Sequence, residues 1–181
     1  MGRAVSRALP QRWLRVDLPA QRLTLHEGEA ALRVFPVATA ARGPGERHGG
    51  GGTPRGWHSV RARIGADQPC RAVFVARRPT GEVWTPALHR EHPQRDWILS
   101  RILWLSGLER GVNRLGAVDT MKRFIYIHGC PDSEPVGVPC SHGCIRMRNA
   151  DVIELFDAVD AGTPVWIGSR WPSRPMPTRG G

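Results

Sequence analysis

Lysine is almost missing from this 181-residue chain: Lys122 is the only one among 26 basic residues, and the other 25 are Arg. Tyrosine occurs once, as Tyr126. Four cysteines (Cys70, Cys130, Cys140, Cys144) are too few to staple a chain of this length into a disulfide framework. No run of 18 apolar residues exists, which excludes a membrane-spanning helix. No signal-peptide pattern opens the chain, because Arg12 and Arg15 interrupt any apolar stretch that could follow the basic residues Arg3 and Arg7. No helix-turn-helix, zinc finger or aromatic RNA-binding motif is present, so nucleic acid is not read as a partner. The glycine-rich stretch lacks the Gly-x4-Gly-Lys-Ser/Thr pattern and is not a nucleotide loop.

What is there describes one folded domain. The chain is long enough to bury a core of its own, and with glycine added the apolar share is about half, as in ordinary globular proteins. The formal charge of +10 is uneven. Residues 1–63 carry 11 Arg and 4 acids, a net +7, whereas residues 121–181 carry 7 basic and 6 acidic residues, a net +1. A basic first third fits a solvated surface or the neighbourhood of an anionic polymer.

Strand signals dominate. Gln21–Ala40 reads as a hairpin, with Arg22–Leu25 and Ala31–Ala38 around a turn at His26-Glu27-Gly28-Glu29. Arg42–Thr53 has six glycines in twelve residues and reads as a loop. Trp57–Ile64, Ala72–Ala76 and Glu82–Thr85 read as strands, the last two joined by a turn at Pro79-Thr80-Gly81. Trp97–Leu105 fits a helical face or a buried strand, and Phe124–Ile127 is a strand leading into His128. A helix starts at Asn149 as N-cap and buries Val152, Ile153, Phe156 and Val159, with Gly162 closing it before a strand at Thr163–Ile167. The sum is a mainly β single domain, a sandwich or barrel with one or two helices. It runs over 13–168, between a basic segment at 1–12 and a disordered Pro/Gly-rich tail at 169–181. The tryptophans fall mostly in strand-like runs and read as core, and Arg77–Trp104 reads as a lid or substrate wall.

The chemistry concentrates in Ile127-His128-Gly129-Cys130 and Cys140-Ser141-His142-Gly143-Cys144-Ile145-Arg146-Met147. A cysteine nucleophile needs a base to take its proton, since a free thiol has a pKa of about 8.5. It also needs backbone N–H groups aimed at the developing oxyanion. His-Gly-Cys next to a turn offers both, and the intervening Pro/Gly-rich loop lets His128 fold back on Cys144.

These residues resemble the L,D-transpeptidase (YkuD-type) catalytic domain of bacterial cell-wall enzymes. The resemblance rests on Ser141 to Met147, on His128-Gly129 and on Thr53-Pro54-Arg55-Gly56, and it covers residues 13–168. It implies Cys144 as nucleophile, His128 as general base and the Gly129 carbonyl as the group that orients the imidazole. It implies an oxyanion hole from the amides of His142, Gly143 and Cys144. Arg146 would hold a substrate carboxylate or buttress the site, and Ser141 would position the loop. The implied donor is a peptidoglycan tetrapeptide stem, cut between meso-diaminopimelate and D-alanine and transferred to an amine; transfer to water would make the chain an L,D-carboxypeptidase. The resemblance further implies carbapenem-type β-lactams as covalent inhibitors and a location in the periplasm or cell envelope; no cofactor is expected, and the sequence leaves the oligomeric state open, with a monomer as the default.

Two other readings of the same residues stay open. His128, Cys130, Cys140, His142 and Cys144 could supply a tetrahedral zinc, although the spacing lacks a C-x2-C knuckle. The chain would then be a basic binding module with a structural metal. Alternatively, Cys130 or Cys140 could pair reversibly with Cys144 in an oxidising compartment, which needs a Cα separation below about 7 Å.

Overall fold

The structure, a computed structural model, describes residues 9–172 and 174–177. Along the chain it places β1 (Arg12–Asp17), β2 (Arg22–Glu27), β3 (Ala30–Pro36), β4 (Gly56–Ile64), β5 (Ala72–Val75), β6 (Arg78–Val83), α1 (Pro86–Glu91), β7 (Ile98–Gly107), β8 (Tyr126–Gly129), β9 (Ile145–Met147), α2 (Asn149–Ala158) and β10 (Pro164–Gly168). The strands form one mixed sheet in the order β3-β2-β1-β10-β4-β7-β5-β6, with β8 and β9 attached through β7. A mainly β domain with two helices is therefore what the sequence folds into.

β7 is the hub. Leu99 pairs with both Val73 and Gly129, and Ile102 with both Ile64 and His128, so both edges of the strand are occupied. Such a strand is buried on both faces, which explains why Trp97–Leu105 shows a dense apolar run without alternation. β1 joins the two ends of the chain by pairing in parallel with β10 and antiparallel with β2. The main core lies between this sheet and α2, with Leu14, Leu23, Leu103, Ile127, Ile145, Leu155 and Phe156 all at 1 % exposure or less. Each such side chain contributes about 1.5–3 kcal/mol through burial.

Several local expectations need correction. The β5–β6 turn is Ala76-Arg77, both with positive φ, and Pro79-Thr80-Gly81 lies inside β6. Two successive left-handed residues suit a tight hairpin, and β6 is an edge strand, where the N–H that proline lacks is not needed. The segment Arg77–Trp104 contains β6, α1 and most of β7. α1 was not anticipated, yet Thr85 caps it by accepting from Leu88 N at 3.1 Å and Pro86 opens its first turn.

The N-cap of α2 is Arg148, not Asn149, whose amide is spent elsewhere. Leu155 takes the buried place given to Ile153, which is half-buried. Five of the seven tryptophans (Trp13, Trp57, Trp84, Trp97, Trp166) are buried, as core packing requires. The segment after β10 is not loose in its described part. Trp57 Nε1 donates to Arg174 O at 3.0 Å, Arg174 pairs with Glu109 at 2.6 Å, and Met176 rests on the Trp13–Trp57–Trp166 cluster. Residue 173, residues 178–181 and residues 1–8 lie outside the described residues. Among the described residues no helix is long and apolar enough to cross a membrane.

Candidate active site

The pairing of β8 with β9 creates the site. The two short strands run parallel, with Ile127 opposite Ile145 and His128 opposite Arg146. Cys144 immediately precedes β9, so the sixteen-residue sequence interval between the histidine and the cysteine closes into neighbouring positions. His128, His142, Cys144 and Arg146 line one cleft of about 190 Å³ with Asp96, Arg123, Phe124 and Ile125.

His128 is buried, and its Nδ1 lies 2.8 Å from the Gly129 carbonyl. A carbonyl oxygen only accepts, so Nδ1 carries the proton and Nε2 keeps a lone pair. Gly129 is needed for this close fit: a Cβ there would stand 2.7 Å from both Asn149 Oδ1 and the Leu99 carbonyl. Asn149 in turn donates to Cys130 O at 2.9 Å and accepts from Ser100 Oγ at 2.6 Å, tying α2 to the strand that carries His128. Burial pushes the imidazole below its ordinary value.

Cys144 is half-buried. Its sulfur accepts from Tyr126 N at 3.3 Å and its thiol faces the Phe124 carbonyl at 3.4 Å. Phe124 has φ +56, a sparsely populated conformation for an aromatic residue, and this turns its carbonyl toward the thiol. The protein around the sulfur pushes the thiol up to about 11, although the Tyr126 amide opposes the rise. With the thiol raised and the imidazole lowered, both groups are neutral at pH 7.

The loop before Cys144 is held from three directions. Ser141 Oγ donates to Cys144 O at 2.5 Å and accepts from Gly143 N at 3.2 Å. The Gly143 amide, read from the sequence as part of the oxyanion hole, is thus engaged, whereas the amides of His142 and Cys144 donate to no group among the described residues. Gly143 has φ +132, which side-chain-bearing residues rarely adopt. Its carbonyl accepts from Thr53 Oγ1 at 2.9 Å, and Thr53 Oγ1 also accepts from Ala40 N at 3.0 Å. Thr39 O accepts from the amides of Cys140 and Ser141, both at 2.9 Å. The Thr-Pro-Arg-Gly segment is therefore the clamp on the His-Gly-Cys loop.

Arg146 is buried between two carboxylates, Glu134 at 2.9 Å and Asp96 at 3.2 Å. Its fork is occupied, which fits a buttress rather than a holder of substrate. Arg123 lines the same cleft and clasps the carbonyls of Gly45 and Gly52 at 2.9 and 2.7 Å. The sequence reading missed Asp96, Arg123 and Glu134, and no spacing pattern could have found them, because they come from three separate loops. His142 is exposed.

The other cysteines stand apart. Cys130 is buried and its thiol donates to Met147 O at 3.4 Å; burial pushes it up to about 12. Cys140 faces Pro135 O at 3.6 Å, and all four cysteines are free thiols. No disulfide joins them in this structure. Nor do the five His and Cys side chains converge: among the described residues no three His, Cys, Asp or Glu could hold one metal ion.

One mixed sheet thus carries a cysteine and a tautomer-locked histidine in one cleft. The profile of the YkuD L,D-transpeptidase catalytic domain matches residues 11–167, and the chain belongs to that family. It is 27% identical over 180 residues to a probable L,D-transpeptidase, ErfK/SrfK, of Salmonella typhimurium, covering 90% of this chain and 53% of that protein. It is 30% identical over 106 residues to the probable L,D-transpeptidase YbiS of Escherichia coli, covering 57% of this chain and 34% of that protein. The chain thus spans about half or less of these relatives. The fold is that of L,D-transpeptidase 3 from Mycobacterium tuberculosis, solved with a faropenem-derived adduct, at TM-score 0.52 and 18% identity over 87% of this chain and 60% of that one.

Proposed function

We propose that the chain is an L,D-transpeptidase that transfers an acyl group from a peptidoglycan tetrapeptide stem through a thioester on Cys144. The observation that carries this reading is the His128 imidazole, locked by Gly129 O, in one cleft with the half-buried Cys144. The family membership and the β-lactam-derived adduct on a structural relative support it.

In this reading Nε2 of His128 takes the thiol proton as sulfur attacks the carbonyl between meso-diaminopimelate and D-alanine. The proton passes to the departing amine of D-alanine, leaving a thioester. An acceptor amine attacks the thioester, gives its proton to His128, and the returning thiolate recovers it. The amides of His142 and Cys144 face the oxyanion, joined by Gly143 when Ser141 releases it. Water in place of the amine gives L,D-carboxypeptidase activity. Because thiol and imidazole both rest neutral, the proton moves during attack, not before it. A substrate in the bacterial wall places the protein in the cell envelope.

Intact-protein mass spectrometry with a carbapenem tests the nucleophile. A single adduct mapping to Cys144, and none on Cys144→Ala, is the expected result; an adduct that survives the substitution overturns the assignment.

A further inference from the structure

Beside the Cys144 cleft stands a guanidinium that the proposed mechanism does not use. Arg77, on the β5–β6 turn, lies over the ring of Trp104 at 4.7 Å and over that of Phe124 at 4.8 Å, and donates to the Tyr126 hydroxyl at 2.9 Å. It has no carboxylate partner among the described residues, unlike Arg146 with its two. The shelf adjoins the reaction centre through its own backbone. Phe124 lines the cleft and offers its carbonyl to the Cys144 thiol, and Tyr126 N donates to the sulfur. Phe124 is 50% exposed and Arg77 half-buried, so the shelf opens to solvent.

A guanidinium seated 4.7 and 4.8 Å from two ring centroids, with one N–H donated to Tyr126, keeps further N–H donors that can read a carboxylate through two parallel hydrogen bonds. The rings beneath it suit the aliphatic body that bears such a carboxylate. We infer that Arg77, seated on Trp104 and Phe124, forms a carboxylate-binding subsite beside Cys144 and makes the chain select substrates with a free carboxylate near the scissile bond. This deepens, and rests on, the acyl-transfer reading above.

The test compares two tetrapeptide stems, one with the free meso-diaminopimelate side-chain carboxylate and one with the isosteric carboxamide. The wild-type chain should prefer the carboxylate by roughly tenfold or more in kcat/KM, carried mainly by KM. Arg77→Met, which keeps the apolar stem and loses the fork, should bring the ratio close to one. Arg77→Lys, which keeps the charge, should restore only part of it. Thermal melting of both variants checks that they fold. Equal turnover of the two stems by the wild type, or a ratio unchanged in a folded Arg77→Met, overturns the subsite and leaves acyl transfer standing. Turnover of neither stem by the wild type overturns both.

Discussion

Thr53 Oγ1 donates to the Gly143 carbonyl at 2.9 Å, joining two segments 90 residues apart in sequence. The same oxygen accepts from Ala40 N, so one buried hydroxyl holds both the strand-side bridge and the loop that presents Cys144. Removing it leaves a buried carbonyl and a buried amide without partners.

Thr53→Val is isosteric and loses both bonds. The variant should lose about 2 kcal/mol of stability, since each buried group left unpaired costs roughly 1–3 kcal/mol. Acyl transfer should fall at least tenfold, because loop geometry moves with it. Thr53→Ser keeps the oxygen and should retain most activity. Chemical denaturation together with turnover of a tetrapeptide stem measures both effects; a Thr53→Val chain that is fully stable and active contradicts the clamp.

The neutral resting pair predicts a pH signature. The Cys144 thiol is pushed up to about 11, so its alkylation by iodoacetamide, followed on the Cys144 peptide by mass spectrometry, should still be rising at about pH 10, where a free thiol of pKa about 8.5 has levelled off. The acyl-transfer rate should instead show its acidic limb below about pH 6.5, where the buried His128, lowered from its ordinary value, takes up a proton. Alkylation that reaches a plateau below pH 8 would mean a preformed thiolate.

A second histidine controls stability instead of chemistry. His58 is fully buried, with Nδ1 3.0 Å from Gly56 O and Nε2 3.1 Å from Thr120 Oγ1, and desolvation lowers its pKa to about 4. The unfolded chain takes up this proton near pH 6.5 and the folded chain only near 4, so stability falls with pH across that window and is steady above it. The span corresponds to about 3 kcal/mol as an order of magnitude. Urea unfolding at pH 7 and pH 4.5 should show the loss, and His58→Gln should flatten the slope. An equal slope in the variant would assign the effect to other groups.

The parts of the site that lie in one short segment were readable from the sequence: Ser141 to Met147 and His128-Gly129 state their chemistry locally. The fold was readable as mainly β because alternation survives where a strand is partly exposed, in Arg22–Leu25 and in the Arg61–Ile64 end of β4. β8 and β9 are four and three residues long and buried throughout, so no period could announce that they pair in parallel. β1 owes its place to β10 at the other end of the chain. Asp96, Arg123 and Glu134 are single residues in separate loops, and only the closed sheet brings them to Cys144 or Arg146. The turn at Ala76-Arg77 was misplaced because Pro79-Thr80-Gly81 carries stronger turn residues, which an edge strand tolerates.

In the proposed reaction Cys144 transfers the acyl group of a peptidoglycan stem. The most direct measurement is quenched incubation of the purified chain with a disaccharide-tetrapeptide, with mass spectrometry of both protein and products. The expected result is stoichiometric D-alanine release, a thioester on Cys144, and a crosslinked product or a tripeptide, all lost in Cys144→Ala. D-alanine release that persists in Cys144→Ala, or an intact tetrapeptide with the wild-type chain, would contradict it.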